Sequence, residues 1–339
     1  MIIVYLHTSL SPCGPTNQFK TFIHSYSPFA HKYYFILKSS GSSIVSSASR
    51  LNFLQLLKLL ITSKNILFHS SGLLPDSLLF IFSFLFPQHH YVSTIRNIPW
   101  IDYFLLYPKI VAFFLFFVHL NIFSSKRILP ICCSLPLLLA IQKRIPSCTY
   151  FVDNCYTGII SLVPQSKPNL THIDSLRCLS LSPLIPRKNI DLIIASFSSL
   201  EILYMLDICG DGPLFKSLQR TICTSQINLR GYVTPSSEFF SFYGIFISFS
   251  ESEGLPNSVI EALYNGLVCI LSPIPPHKYL QQFTDRIIII DDFSSKSLQS
   301  ALLQAQASNY SSRIHNHFCE YFHPDRMLTD YMHIYTNYN

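Results

Sequence analysis

The stretch GIFISFSESEGLPNSVIEALYNGLVCILS, residues 244–272, decides the fold. Its two ends, GIFISFS and LVCILS, are short apolar runs of the kind that forms buried strands. The segment between them has helical spacing, and Pro256 suits the first position of a helix. A strand, a helix and a second strand in this order predict parallel strands covered by helices.

The same alternation of strands and helices extends over the chain in both directions. We predict strands at 2–7, 33–39, 65–71, 90–96, 177–181, 205–209, 227–233 and 286–290, and helices from near residue 16 and at 51–63, 188–200, 213–222 and 295–306. The Ser- and Pro-rich stretch 158–175 separates two such series. The fold class is therefore α/β, with two Rossmann-like, doubly wound parallel-sheet domains at 1–160 and 161–320, and we expect a C-terminal helix at 321–339 to cross back to the first domain.

Composition excludes several classes of protein. Hydrophobic residues make up 49% of the 339 residues and charged residues 12%, which is incompatible with a disordered chain. Ten cysteines without a CxxC pair indicate buried apolar residues in a reducing compartment, not a disulfide scaffold or a zinc site. The first ten residues, MIIVYLHTSL, lack a basic start and a cleavage site, and they predict a strand and no signal peptide.

Positive charge is concentrated in the first half. Residues 1–165 contain 12 Lys and Arg against three Asp, a net charge of +9, whereas the remainder has a net charge of −3. No nucleic-acid-binding motif is present, so an anionic membrane or a lipid-phosphate substrate is the favoured partner, with an ordinary basic surface as the alternative. The runs LLFIFSFLF (78–86) and IVAFFLFFV (110–118) are too short to span a bilayer, and either burial or partial insertion into a membrane accounts for them.

The segment 253–261 carries the clearest chemistry. A helix start offers free N–H groups that bind phosphate, and Glu261, one turn further on, can accept hydrogen bonds from sugar or ribose hydroxyls. The preceding loop places Glu253 where it can contact the group beyond the phosphates. Alternatively, both glutamates are solvent-exposed and merely favourable near a helix N-terminus.

Three weaker segments complete the pattern. GDGP (210–213) follows a predicted strand and suits a tight turn, PRKN (186–189) places Arg187 and Lys188 near a helix start, and PCGPTN (12–17) contains Gly14 before a helix. Each also fits an ordinary turn or a solvated pair of charges.

In this order the segments resemble the retaining glycosyltransferases of family 4, which have the GT-B architecture of two Rossmann-like domains facing across a cleft. The resemblance is densest over 177–280 and includes LDICGDGPL and SESEGLPNSVIEALYNG. It implies that Glu261 binds the ribose of a nucleotide sugar, that Glu253 binds the sugar hydroxyls, and that Lys188 neutralises the leaving diphosphate. The donor-binding residues that it implies are Gly14, Lys188, Gly210, Gly212, Val233, Leu255, Pro256, Asn257, Ser258 and Glu261, with Glu253 and Lys188 as catalytic residues.

The resemblance also implies a front-face reaction with retention that needs no dedicated base and no metal or other cofactor. We expect a UDP-sugar as the donor, with a GDP-sugar as the alternative. We expect a lipid-linked oligosaccharide acceptor in bacterial surface polysaccharide synthesis (O-antigen, lipopolysaccharide or capsule), and a cytoplasmic enzyme held peripherally at the inner membrane. His69, Arg96 and Asn97 lie at or near the ends of predicted strands and are candidate acceptor-binding residues.

One position departs from the family pattern. Pro183 stands where the family usually has an arginine, so one phosphate-binding cation is missing. Arg187 could replace it, but its place next to Lys188 on a predicted helix would turn its side chain elsewhere. This departure leaves open a non-catalytic glycan- or nucleotide-binding subunit, and a GT-B nucleotide-sugar epimerase is a separate alternative.

Overall fold

The computed structural model describes residues 1–10, 14–24, 31–38, 48–158, 177–200 and 204–338. It divides into two compact units, one formed by Met1–Thr157 with Pro324–Asn339 and the other by Gly158–His323. Each unit is built on its own parallel sheet, as the alternating pattern predicts.

The sheet of the first unit has the strand order β3-β2-β1-β4-β5-β6-β7, and every pairing between its strands is parallel. Its strands are β1 (Ile2–His7), β2 (His31–Ile36), β3 (Ser49–Arg50), β4 (Leu67–Ser70), β5 (His90–Ile95), β6 (Leu129–Cys132) and β7 (Tyr150–Phe151). The helices that follow these strands within the first 157 residues are α1 (Gly14–His24), α2 (Phe53–Thr62), α3 (Leu73–Leu85), α4 (Pro99–Leu106), α5 (Lys109–Ser124) and α6 (Leu135–Gln142).

The second unit repeats this arrangement with the strand order β10-β9-β8-β11-β12-β13, again all parallel. Its strands are β8 (Arg177–Leu181), β9 (Met205–Cys209), β10 (Ile227–Gly231), β11 (Ile245–Ser248), β12 (Val268–Leu271) and β13 (Ile287–Ile289). A 3₁₀ turn, Pro186–Lys188, precedes its helices α7 (Ile190–Ser198), α8 (Phe215–Thr221), α9 (Ser237–Ser241), α10 (Asn257–Tyr264), α11 (Pro275–Gln281), α12 (Ser295–Ala307) and α13 (Ser312–Tyr321).

The central strands are largely buried because helices cover both faces of each sheet. All four residues of β12, VCIL, are buried, and so are all four of β4, LFHS. A strand that is buried on both faces gains from a continuous apolar run, whereas a half-exposed strand would alternate. This is why short Ile-, Val- and Leu-rich runs were sufficient to predict the strands.

The chain ends in α14 (Pro324–Asn337), which packs on the first unit. The hydroxyl of Tyr331 lies 2.9 Å from Oγ1 of Thr94, and the hydroxyl of Tyr335 lies 2.6 Å from Nδ1 of His69. Both tyrosines are buried within the core of that unit. The last helix is therefore part of the core of the first unit, although 166 residues of the second unit, 158–323, precede it in the chain.

The structure agrees with the prediction for the cysteines and contradicts one of the alternatives for the apolar runs. All nine described cysteines are free, and eight of them are buried, as the sequence predicts. No helix in the described part of the chain is long and apolar enough to cross a bilayer. The run 110–118 lies in α5, where Ala112 alone of its nine residues is buried, so the alternative of a buried helix is wrong for this run.

Candidate active site

The second unit brings three sequence-predicted charged residues together. Glu253 lies in the loop after β11 and is 8% exposed, and its Oε1 accepts a hydrogen bond from the ammonium group of Lys188. Nη1 of Arg187 donates to the other oxygen, Oε2, at 3.1 Å. One buried carboxylate thus holds two adjacent cations, one at each oxygen.

The 3₁₀ turn that carries the two cations is fixed to this loop by its backbone as well. The amide of Glu251 donates to the carbonyl of Arg187 at 2.9 Å, and Nη1 of Arg187 donates to the carbonyl of Ser252 at 2.6 Å. Asn189, which has a left-handed φ of 50°, donates from Nδ2 to the carbonyl of Phe249 at 3.0 Å. These hydrogen bonds hold the two cations in position before any ligand binds.

The two cations set the charge of the carboxylate. Burial alone would raise the pKa of Glu253, but the charges of Lys188 and Arg187 outweigh it and lower this pKa to about 2. Glu253 is therefore ionised at neutral pH despite its burial. An anion such as a diphosphate, arriving beside these cations, would compete with Glu253 for them.

The expectation that Arg187 points away from Lys188 is wrong. That expectation assumes that one α-helix carries both residues, and consecutive side chains point about 100° apart around a helix axis. In the structure α7 begins only at Ile190, and both residues precede it in the 3₁₀ turn that ends at the left-handed Asn189. The tighter turn lets both side chains reach Glu253.

Helix α10 supplies the second glutamate. Pro256, the predicted first position, is its N-cap, so the helix begins one residue later than predicted, and Glu261 lies in its second turn and is 7% exposed. Leu255 and Pro256 are buried, and Asn257 and Ser258 are partly exposed at the helix start. Because Glu253 and Glu261 are both buried, the alternative that they form a solvent-exposed pair is wrong.

The two glycines of GDGP support the loop that leads to the cations. A Cβ on Gly210 would lie 1.8 Å from the carbonyl oxygen of Ser182, and one on Gly212 would lie 2.5 Å from that of Leu184. Both glycines also have positive φ, 153° and 156°. Close packing against residues 182–184 therefore requires glycine here, and a direct role of either residue in donor binding stays a prediction. Val233 follows β10 and is partly exposed.

His277, at the start of α11, is a buried polar residue that the sequence-based site does not include. Its Nδ1 lies 2.9 Å from the carbonyl oxygen of Ser272, which can only accept, so Nδ1 carries the hydrogen and Nε2 has a lone pair. Nε2 is buried and has no hydrogen-bond partner among the described residues. Burial lowers the pKa of His277 to about 4, although the Ser272 bond and the charge of Glu253 act in the opposite direction. The signal in the sequence is a histidine six residues after a buried strand, in SPIPPHKYL.

The candidate acceptor residues of the first unit differ in their surroundings. His69 is buried among aromatic rings, with Nε2 2.7 Å from Oγ1 of Thr94 and Nδ1 bound to Tyr335, so its ring belongs to the core. Arg96 and Asn97 follow β5 and are partly exposed, and Nη1 of Arg96 donates to Oδ1 of Asn154 at 2.8 Å. Gly14 is the first residue of α1. Roles for these four residues in binding stay predictions.

The described residues contain no group of three His, Cys, Asp or Glu side chains placed to hold a metal ion. That the reaction needs no metal or other cofactor stays a prediction.

Comparison with known proteins adds the class of protein. Residues 176–307, which include Arg187, Lys188, Glu253 and Glu261, match the family model of the glycosyl transferases group 1. An O-antigen biosynthesis glycosyltransferase, WclY of Escherichia coli, is 23% identical over an alignment 301 residues long that covers 79% of this chain and 78% of that protein. The comparisons support a glycosyltransferase.

Three solved structures resemble the whole chain. Sucrose-phosphate synthase from Thermosynechococcus elongatus has a TM-score of 0.74 at 13% identity and covers 99% of this chain and 98% of its own. Anabaena HepE in complex with UDP and glucose has a TM-score of 0.71 at 13% identity, covering 99% and 100%. WaaG, a glycosyltransferase involved in lipopolysaccharide biosynthesis, has a TM-score of 0.68 at 11% identity, covering 99% of each chain. The fold is GT-B, as the resemblance implied.

Proposed function

We propose that this chain is a retaining glycosyltransferase of family 4, a hexosyltransferase that moves a sugar from a UDP-sugar to an oligosaccharide acceptor. The observation that carries the proposal is the buried cluster of Glu253 with Arg187 and Lys188, in the segment that matches the family model. A GDP-sugar is the alternative donor. The complexes of HepE with UDP and with UDP-glucose support a UDP-sugar.

In this proposal the cations exchange partners when the donor binds. The diphosphate takes up hydrogen bonds from Lys188 and Arg187, and the carboxylate of Glu253, relieved of part of that contact, accepts hydrogen bonds from the sugar hydroxyls. Glu261 accepts hydrogen bonds from the ribose. The glycosidic carbon loses its bond to the phosphate oxygen, whose electron pair leaves with UDP, and forms a bond to the acceptor oxygen on the same face. The acceptor proton leaves with the nucleotide.

Charge stabilisation is the main contribution of the chain in this scheme. The leaving diphosphate gains negative charge as the bond breaks, and fixed cations in a site with little water stabilise that charge strongly. Because Lys188 and Arg187 are already held in place by the loop 249–253, little reorganisation is needed during the reaction. This supports a reaction without a metal ion.

Arg187 can supply the positive charge that is missing at position 183. The usual arginine is absent at 183, but a second guanidinium reaches the same carboxylate as Lys188 from position 187. We propose that Arg187 supplies the second phosphate-binding cation. This argues for an active enzyme and against a non-catalytic binding subunit.

We further propose a lipid-linked acceptor in O-antigen or related surface polysaccharide synthesis, at the cytoplasmic face of the inner membrane. The likeness to WclY, an O-antigen biosynthesis glycosyltransferase, and to WaaG, a glycosyltransferase involved in lipopolysaccharide biosynthesis, supports this pathway. The net charge of +9 in residues 1–165 suits a lipid-pyrophosphate group. Arg96 and Asn97, partly exposed at the end of β5, are the acceptor-binding candidates that we retain.

A thermal-shift panel followed by product analysis tests the proposal. A ligand that binds only the native state raises the free energy of unfolding by about 2.7 kcal/mol at 100 times its Kd. We expect UDP and one UDP-sugar to raise the Tm of the wild type, and Lys188→Ala to remove most of that shift. A lengthened glycan with retained anomeric configuration supports the proposal, a free altered nucleotide sugar supports the epimerase, and the absence of any nucleotide-dependent shift contradicts both.

A further inference from the structure

The helical hairpin formed by α4 and α5 has an apolar tip. Eight consecutive residues, 104–111, with the sequence FLLYPKIV, are all exposed, and Lys109 is the one charged residue among them. The exposed fractions remain high beyond the turn, at 86% for Ile110, 60% for Phe113 and 64% for Phe114. A continuous apolar surface of this kind marks an interaction site in a soluble protein domain.

The base of the hairpin is held by a buried polar chain, so its tip is presented on a fixed support. The hydroxyl of Tyr103 in α4 lies 2.6 Å from Nδ1 of His119 in α5, and Nε2 of His119 lies 3.3 Å from Oδ2 of Asp76 in α3. Oδ1 of Asp76 accepts hydrogen bonds from Ser70 at 2.6 Å and from Ser93 at 2.7 Å, which belong to β4 and β5. These contacts link α4 to α5, α5 to α3, and α3 to strands β4 and β5 of the sheet.

The fully exposed charges on the hairpin and beside it are positive. Residues 1–157 contain three acidic residues, of which Asp76 and Asp153 are buried and Asp102 is partly exposed and accepts from Asn97. Basic residues, by contrast, are exposed here. The exposed cations in 109–144 are Lys109, Lys126, Arg127, Lys143 and Arg144. The guanidinium of Arg144 lies 4.9 Å from the ring centre of Trp100, at the start of α4.

An apolar tip, an amphipathic aromatic ring and exposed cations, with Asp102 as the one partly exposed carboxylate and bound to Asn97, form the pattern of a segment that enters an anionic lipid surface. A symmetric contact with a second copy of this chain would instead bring the Lys109 of each copy to one interface, where like charges repel. The charge pattern therefore favours lipid over a second copy.

We propose that the α4–α5 hairpin docks this protein on an anionic bilayer, with residues 104–114 in the boundary between headgroups and acyl chains. The inference deepens the proposed function, because it identifies the surface by which the enzyme would reach a lipid-linked acceptor. Binding of the hairpin to lipid does not itself require nucleotide or sugar, so the two proposals can fail separately.

The single tryptophan of the chain, Trp100, is a built-in probe for the test. The full-length protein is mixed with vesicles of phosphatidylcholine alone or of phosphatidylcholine with phosphatidylglycerol, and Trp100 emission and co-flotation are measured. We expect a blue shift and co-flotation with the anionic vesicles, weaker binding to the neutral ones, and quenching by lipids that carry a bromine in the acyl chain.

A double variant and a matched control locate the surface. Ile110→Glu with Phe114→Glu places two carboxylates at the tip, and we expect at least about tenfold weaker binding to anionic vesicles. Phe242→Glu with Leu303→Glu adds the same charge at exposed positions of the second unit, 55% and 48% exposed, and we expect binding as in the wild type. All four sites are exposed, so the variants should fold, which circular dichroism and an unchanged UDP-induced Tm shift would verify.

Three outcomes would overturn the inference. The first is equal loss of vesicle binding in both double variants, and the second is no binding by the wild type. The third is a dimer of the wild type, seen by analytical ultracentrifugation without lipid, that Ile110→Glu with Phe114→Glu dissociates, which would assign the tip to a second copy. Failure of UDP to stabilise the wild type would contradict the proposed function while leaving vesicle binding to be judged by itself.

Discussion

Lys188 and Glu253 are 65 residues apart in the chain and form a buried ion pair in the second unit. The same carboxylate binds Arg187, so the loop after β11 and the turn after β8 are joined by three charged groups. Ion pairs that are removed from water bring little stability on balance, because desolvation opposes the attraction. We infer that this cluster is retained for its charges, which an anionic ligand can use.

Removal of the carboxylate should destabilise the ligand-free protein. Glu253→Gln leaves Lys188 and Arg187 in a buried place without their counter-charge, and we expect the free energy of unfolding to fall by about 3–5 kcal/mol. UDP should restore part of this loss, because its diphosphate supplies negative charge. Chemical denaturation with and without UDP measures both effects. Equal destabilisation with and without UDP would contradict a diphosphate site at these cations.

The pKa of Glu253 gives a pH dependence of stability with a definite sign. The folded-state pKa of about 2 lies below the ordinary value of 4.5, so this group stabilises the fold above pH 4.5 and loses its contribution as pH falls from 4.5 towards 2. The contribution is about 3 kcal/mol at neutral pH, from 1.36 kcal/mol per pKa unit. We expect the difference in unfolding free energy between wild type and Glu253→Gln to shrink over this range. A difference that stays constant with pH would refute the assigned ion pair.

Arg187 should be the functional substitute for the arginine that is absent at 183. We expect Arg187→Ala to lower transfer by about 10²-fold, and Pro183→Arg to recover part of the activity only in that variant, since one cation can replace the other. Steady-state kinetics of the four combinations forms a double-mutant cycle. Additive effects of the two changes would show that Arg187 acts independently of phosphate binding.

His277 should contribute to donor binding through its unprotonated Nε2. We expect His277→Phe to weaken donor binding by about tenfold, a typical effect of losing a hydrogen bond in a buried polar site. His315 is a matched control, because it is equally buried and burial likewise lowers its pKa to about 4, but it lies in α13. Donor titration of both variants decides the matter. Equal weakening in His277→Phe and His315→Phe would indicate a general effect on stability.

The sequence was sufficient for the two sheets and insufficient for the detailed cation geometry. Buried parallel strands are short apolar runs. GIFISFS and LVCILS can therefore be recognised as strands from their own sequence, without knowledge of the strands that pair with them. The position of Arg187 depends on where α7 starts, and the boundary lies at the left-handed Asn189, which no helical periodicity reveals. Because this segment is a 3₁₀ turn and not part of α7, the side chains of both Arg187 and Lys188 reach Glu253.

The apolar runs illustrate a second limit. Hydropathy cannot distinguish a helix that is apolar because it is buried from one that is apolar and exposed. In α3, Leu79 and Phe82 are buried but Ile81, Phe84 and Leu85 are exposed, and in α5 the residues Ile110, Phe113 and Phe114 are exposed. Packing of α5 against its neighbours decides this, and those contacts join segments that are distant in sequence, such as Asp76 and His119.

Calorimetric titration of UDP into the wild type and into Lys188→Ala tests the central claim most directly. The claim is that the cations held by Glu253 bind the diphosphate of a nucleotide sugar. The account predicts saturable binding of UDP to the wild type and at least about tenfold weaker binding to the variant, as expected for the loss of a charge-assisted contact. Equal affinity in the two proteins, or no binding of UDP to the wild type, would contradict it.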